Sequence, residues 1–95
     1  MRIEMASVVI PVNGRDEGKR FLVIGAEEEY SLLADGKNRR AEKPKRKKNK
    51  HLRLEGKIDG KAAEKLDGGG KLTNNEIRRA LGEYASAEGG GMSVG

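Results

Sequence analysis

Cysteine is absent from this chain of 95 residues, so neither a disulfide nor a thiolate metal site holds it together. That absence fits a reducing compartment. Tryptophan is also absent, and the aromatic residues amount to one phenylalanine and two tyrosines. There is a single histidine, His51, so no histidine pair is available for metal binding. Long apolar runs are missing too: nothing approaches the roughly 20 residues of a spanning helix. The opening Met1-Arg2-Ile3-Glu4-Met5 reads as neither a signal peptide nor an anchor. The expectation is a cytoplasmic protein without a membrane segment. Hydrophobic residues make up 35% of the chain and mean hydropathy is −0.77. A domain of about 60 residues buries only about 60% of its unfolded surface, so a small folded unit with a thin core is expected.

What the chain has in quantity is positive charge in one place. The net charge is +5. Between Lys37 and Arg53 there are ten Lys/Arg against one acid, Glu42, which is +9 locally, while the remainder is −4. Charge so concentrated favours a polyanionic partner and raises its encounter rate. A solvated loop is the bland alternative, but the block lies between two strand-like runs rather than at a terminus.

The strand-like runs come first in the chain. After a lead-in over residues 1–6, Ser7-Val8-Val9-Ile10-Pro11 is β-branched and closed by proline. Asn13-Gly14 and Gly18 mark a loop, and Arg20–Gly25 is apolar on both faces. Tyr30–Ala34 is a third strand after the charged turn Glu27-Glu28-Glu29, which reads as solvated surface rather than an acid/base pair. Asp35-Gly36 predicts a type I′ hairpin turn leading into a basic fourth strand, Lys37–Glu42, ended by Pro44. Pro44–Lys50 reads as a flexible loop. His51–Glu55 alternates with period two, placing Leu52 and Leu54 inward. Five short strands with tight turns predict a mainly β fold, a small barrel over residues 7–56 that hides its sheet edges.

Residues 57–71 read as a flexible, glycine-rich linker. Asp67-Gly68-Gly69-Gly70-Lys71 lacks the order and the preceding strand of a phosphate loop. Residues 72–87 predict one C-terminal α-helix, and 88–95 a disordered tail. Thr73-Asn74-Asn75-Glu76 is a capping box, with Leu72 and Ile77 as its hydrophobic staple. Ile77, Ala80, Leu81, Tyr84 and Ala85 form one apolar stripe, with Arg78 and Arg79 off it. Two uses of that stripe stay open, packing on the barrel or docking a partner, because so short a helix is marginal alone. Gly82 inside it costs about 1 kcal/mol relative to alanine.

The strand-loop-strand run from Val8 to Ile24 carries Gly18-Lys19-Arg20 at the entry to its second strand. Gly18 can take positive φ without a Cβ clash, so Arg15, Lys19 and Arg20 flank a loop whose backbone can approach a phosphate. This run resembles a KOW motif. With Asp35-Gly36-Lys37-Asn38-Arg39-Arg40, Glu42-Lys43-Pro44-Lys45, Lys50-His51-Leu52 and Glu76–Leu81, it resembles the small bacterial KOW-domain RNA-binding proteins related to the ribosomal fourteen-e class. The likeness spans residues 7–55 and part of 72–82. It implies an SH3-like β-barrel and a ribosomal or ribosome-associated protein that binds structured RNA. Some KOW domains bind proteins instead, so a protein-interaction module of the transcription-elongation type is the alternative.

The expected contacts are Asn13, Arg15, Gly18, Lys19, Arg20, Lys37, Arg39, Arg40, Lys43, Lys45, Arg46, Lys47, Lys48, Lys50 and His51. Phe21, Tyr30 and Tyr84 are all placed where a core wants them, which leaves no exposed platform for base stacking. Arginine forks and lysine point charges then favour backbone and shape recognition of folded RNA, although charge alone does not exclude DNA. No catalytic group, metal or cofactor is expected. The expected partner is RNA, ribosomal RNA first, with a protein partner conceivable through the helix. Whether the Gly18 loop and the basic segment share a face depends on tertiary structure.

Overall fold

In the computed structural model, residues 2–94 are described, with side chains through residue 87. Five strands, β1 (Ser7–Pro11), β2 (Phe21–Ala26), β3 (Tyr30–Ala34), β4 (Lys45–Lys48) and β5 (Leu52–Lys57), precede two helices, α1 (Gly60–Asp67) and α2 (Asn74–Val94). The strands form one antiparallel sheet in the order β4-β3-β2-β1-β5. β1 therefore pairs with β5, far along the chain, and a single 3-10 turn, Asn49–His51, links the edge strands β4 and β5. Register shifts between Val8 and Val9 and between Val23 and Gly25 bend the strands, as an extra residue in one partner does. The result is a curled half-barrel, compatible with a small SH3-like barrel, with two helices where the sequence predicts one.

The curl has two apolar sides. Ile3, Val9, Phe21, Val23, Leu33 and Leu52 make one cluster. Val8, Leu22 and Ala34 face the other way and are covered by Ile58, Ala63, Leu66, Leu72, Ile77 and Ala80. β2 alternates between these clusters, which explains why its run is apolar on both faces. The second cluster answers the question left open for α2, since Ile77, at 0% exposure, is packed on the chain's own sheet. The cap forms as the sequence predicts: Glu76 N–H donates to Thr73 Oγ1 at 3.1 Å, and Thr73 N–H to Glu76 Oε1 at 2.8 Å.

Five expectations need correction. Residues 57–71 are not a linker: α1 occupies 60–67 and buries Ala63 and Leu66. Its glycines form a helix stop, in which Gly69 has φ +86°, Gly69 N–H donates to Leu66 O, and Gly70 N–H to Lys65 O at 2.8 Å. That is the paired-bond ending glycine makes possible. The fourth strand is Lys45–Lys48, not Lys37–Glu42. Gly36 has positive φ but Asp35 does not, so no type I′ turn forms. Asp35 Oδ1 instead accepts from the backbone of Lys37 at 2.8 Å and of Arg39 at 2.9 Å, which curls 35–39 into a loop. Leu54 is 57% exposed rather than inward, because it lies on an edge strand where the sheet does not close over it. Finally, α2 continues to Val94, past the expected end at 87 and through most of the predicted tail; Gly95 lies outside the described residues. Glycine lowers helix propensity but, unlike proline, keeps its backbone donor.

Candidate nucleic-acid interface

The loop over residues 12–20, between β1 and β2, returns to the sheet through Gly18, whose N–H donates to Pro11 O at 3.0 Å and whose φ is +81°. This is the conformation expected of it. Val12 N–H donates to His51 O at 2.9 Å, so the loop is stitched to the start of β5. Asn13 extends the link. Lys47 Nζ donates to its Oδ1 and to its backbone oxygen, each at 3.1 Å, and its Nδ2 lies 3.1 Å from His51 Nδ1. An ammonium only donates, so Oδ1 faces Lys47 and the amide nitrogen faces the ring, which makes His51 Nδ1 the acceptor and leaves the hydrogen on Nε2.

A second tie joins the same loop to the segment between β3 and β4. Arg39 donates to Asp16 Oδ2 through Nη2 at 2.7 Å and Nε at 3.1 Å, and the Asp16 side chain is only 9% exposed. A carboxylate so sheltered requires a paired cation, so Arg39 clamps the loop before it contacts anything else. The Gly18 loop and the basic segment are therefore contiguous, through Lys47, His51 and Arg39.

Arginines and lysines divide the site. Among the described residues Arg15 is the one predicted arginine without a carboxylate. Arg20 pairs with Glu55 at 2.8 Å and lies 5.4 Å from the Tyr84 ring centroid, which directs it toward β5 and α2 instead of the loop's charged tip. Arg40 pairs with Glu42 at 3.3 Å and Arg46 with Glu27 at 2.8 Å. The hydrogen bond from Arg46 holds the Glu27 carboxyl below its ordinary range; that from the Asn74 amide, helped by Arg40, does the same for Glu42. The exposed Lys19, Lys37, Lys43, Lys48 and Lys50 and the half-buried Lys45 have no acidic partner among the described residues. Exposed ion pairs are worth little, so Arg40 can exchange its carboxylate for another anion at small cost, whereas Arg39 cannot.

Strand register sorts the remaining residues. Tyr30 is opposite Lys48 and Leu32 opposite Arg46, so these four share one face of the β3–β4 ribbon, while Ser31 and Leu33 are buried on the other. Tyr30 is thus not a core residue as expected. It is half-buried, with the Arg46 guanidinium carbon 3.6 Å from its ring centroid and Lys48 Nζ at 5.9 Å. Tyr84 is half-buried against the second cluster, and Phe21, at 1% exposure, lies within the first. Tyr30, Glu27 and Asp16 are the participants the sequence reading missed. Finding them requires the β3–β4 register, which depends on placing β4 at 45–48.

Two asparagines and an arginine add order in this region. Asn49, fully buried, accepts from Ser31 Oγ at 2.6 Å and donates to Glu28 O at 3.2 Å, fixing the turn between β4 and β5. Asn74, in the first turn of α2, accepts from Ala41 N–H at 2.7 Å, and Arg78 donates to Gly36 O. A shallow concavity of about 350 Å³ results, lined by Asn38, Arg39, Arg40, Lys43, Pro44, Lys45 and Arg46. A larger cleft of about 760 Å³ runs between α1 and α2, but Asp59, Glu76 and Glu83 line it beside Lys57, Lys61, Lys65 and Arg79. Mixed signs there cancel, whereas the smaller concavity carries cations alone and is the better seat for an anion. No helix among the described residues is long and apolar enough to cross a membrane. The chain matches no protein-family model and no curated protein.

Proposed function

We propose that the chain is an RNA-binding protein of the bacterial KOW-domain type, related to the ribosomal fourteen-e class, that contacts the phosphate backbone of structured RNA. The observation that carries this reading is the junction of the Gly18 loop with the basic segment through Asn13, Lys47 and His51. It joins the unpaired Arg15 and Lys19 to the lysines of β4 on a sheet-borne surface rather than a loose tail. Lysines without acidic partners suit phosphate, because each neutralised phosphate releases condensed counterions.

Two measurements test the reading. Ribosome sedimentation in low and high salt, with and without nuclease, should show association that salt and nuclease both release. Titration of a structured RNA across salt should give log K against log salt with a slope of about −4 to −7, as expected for about 5 to 8 phosphates neutralised. A flat salt response would remove the basic surface from the mechanism. Recovery of one protein that survives nuclease would favour a protein-docking module.

A further inference from the structure

Arg46 is the exposed arginine of the basic segment that both a carboxylate and an aromatic ring hold. A planar guanidinium offers an edge of donors and two faces. The Nε and Nη2 edge of Arg46 is engaged by Glu27, at 3.3 and 2.8 Å. One face lies on the Tyr30 ring, 3.6 Å from its centroid. Both anchors come from the same stretch of sheet, Glu27 at the turn leading into β3 and Tyr30 at its first residue. The side chain is nevertheless 53% exposed, which leaves the second face open to solvent as a flat, delocalised surface. Nucleobases stack on aromatic rings and on guanidinium planes alike. Lys48, 5.9 Å from the same ring, and Lys43 and Lys45, which line the concavity shared with Arg46, provide charge for the phosphates on either side of a stacked nucleotide.

We infer that Arg46, fixed by Tyr30 and Glu27, is a stacking platform for one unpaired nucleobase. The RNA this face selects is then a folded RNA with a bulged or looped-out nucleotide, because a continuous duplex keeps its bases within its own stack. The inference rests on the RNA-binding reading above and adds a specificity to it.

The test uses the full chain and two RNA hairpins that differ only by a single bulged 2-aminopurine. The bulged hairpin should bind about tenfold more tightly, toward the lower part of the range for base–aromatic stacking, with a change in the fluorescence of the bulged base. Arg46→Lys keeps the charge and removes the plane, and Tyr30→Leu removes the support. Either should make the two affinities converge and abolish the fluorescence change. Equal affinity of the unaltered protein for both hairpins overturns the platform and leaves the RNA-binding reading standing. An equal loss on both hairpins in Arg46→Lys also overturns it, by making Arg46 an ordinary phosphate contact. Failure to bind either hairpin overturns both readings.

Discussion

The two halves of the basic segment, residues 37–44 with a net +3 and 45–51 with a net +5, are ordered by different means. The second half is sheet and turn: β4 pairs with β3, and Asn49 locks the corner from inside the protein. The first half has no ladder. It is a loop curled around the Asp35 carboxylate and held from outside by α2, through Asn74 and Arg78. Both halves expose lysine, yet neither is ordered by its lysines. Charge density marks where an anion will bind, and hydrogen bonds from residues other than those lysines, together with buried apolar contacts, decide what shape it meets.

The comparison can be broken from either side, and the largest effect is expected from the helix. Ile77→Ala removes a fully buried side chain, and such truncations cost about 2–5 kcal/mol. Urea denaturation should show that loss. Amide exchange should rise further in residues 36–43, which depend on α2, than in β4. Equal acceleration of both would mean that the helix does not hold the loop separately.

A smaller and complementary effect is expected at Asn49. Asn49→Ala leaves the buried Ser31 Oγ without that partner and removes the bond to the Glu28 carbonyl, a loss of about 1–3 kcal/mol. Here exchange should rise at the β4–β5 corner while residues 36–43 keep their protection. The two variants together form a crossed test, and identical exchange patterns would refute the division.

The smallest effect is on the acid limb of stability. Hydrogen bonding from Thr73 N–H, with Lys65 nearby, holds the Glu76 carboxyl below its ordinary value of 4.5. A depressed carboxylate contributes stability that is present above its unfolded value and is lost as pH falls through its folded value. Glu27 and Glu42 act in the same direction. Glu76→Gln keeps an acceptor for the cap but does not titrate. The difference in melting temperature between about pH 6 and about pH 3 should therefore shrink in the variant. An unchanged difference would remove Glu76 from the acid response.

Legibility from the sequence followed the range of the interactions. The capping box at Thr73–Glu76 was legible because its partners are three residues apart, and the first three strands because their apolar runs are short and bounded by turn residues. The Gly18 turn was legible for the same local reason. α1 was harder to see: its apolar face is two alanines, Ala62 and Ala63, and Leu66, with Ile58 just before it, and the three glycines after it look alike in a linker and in a helix stop. The Asp35-Gly36 pair was misleading because an aspartate side chain can close a loop on its own backbone as readily as it can enter a hairpin turn.

The sequence by itself determined a small, cysteine-free, mainly β chain with a capped helix and a concentrated block of positive charge. These follow from composition and from contacts within a few residues. Tertiary structure alone decided which cations are already engaged, that Asn13 meets Lys47 and His51 across more than 30 positions, and that Tyr30 lies beneath Arg46. Those meetings depend on strand register and on the curl of the sheet. A one-residue slip in β4 would turn Arg46 to the opposite face, and no local pattern in a run of Lys-Arg-Lys-Lys specifies which register is used.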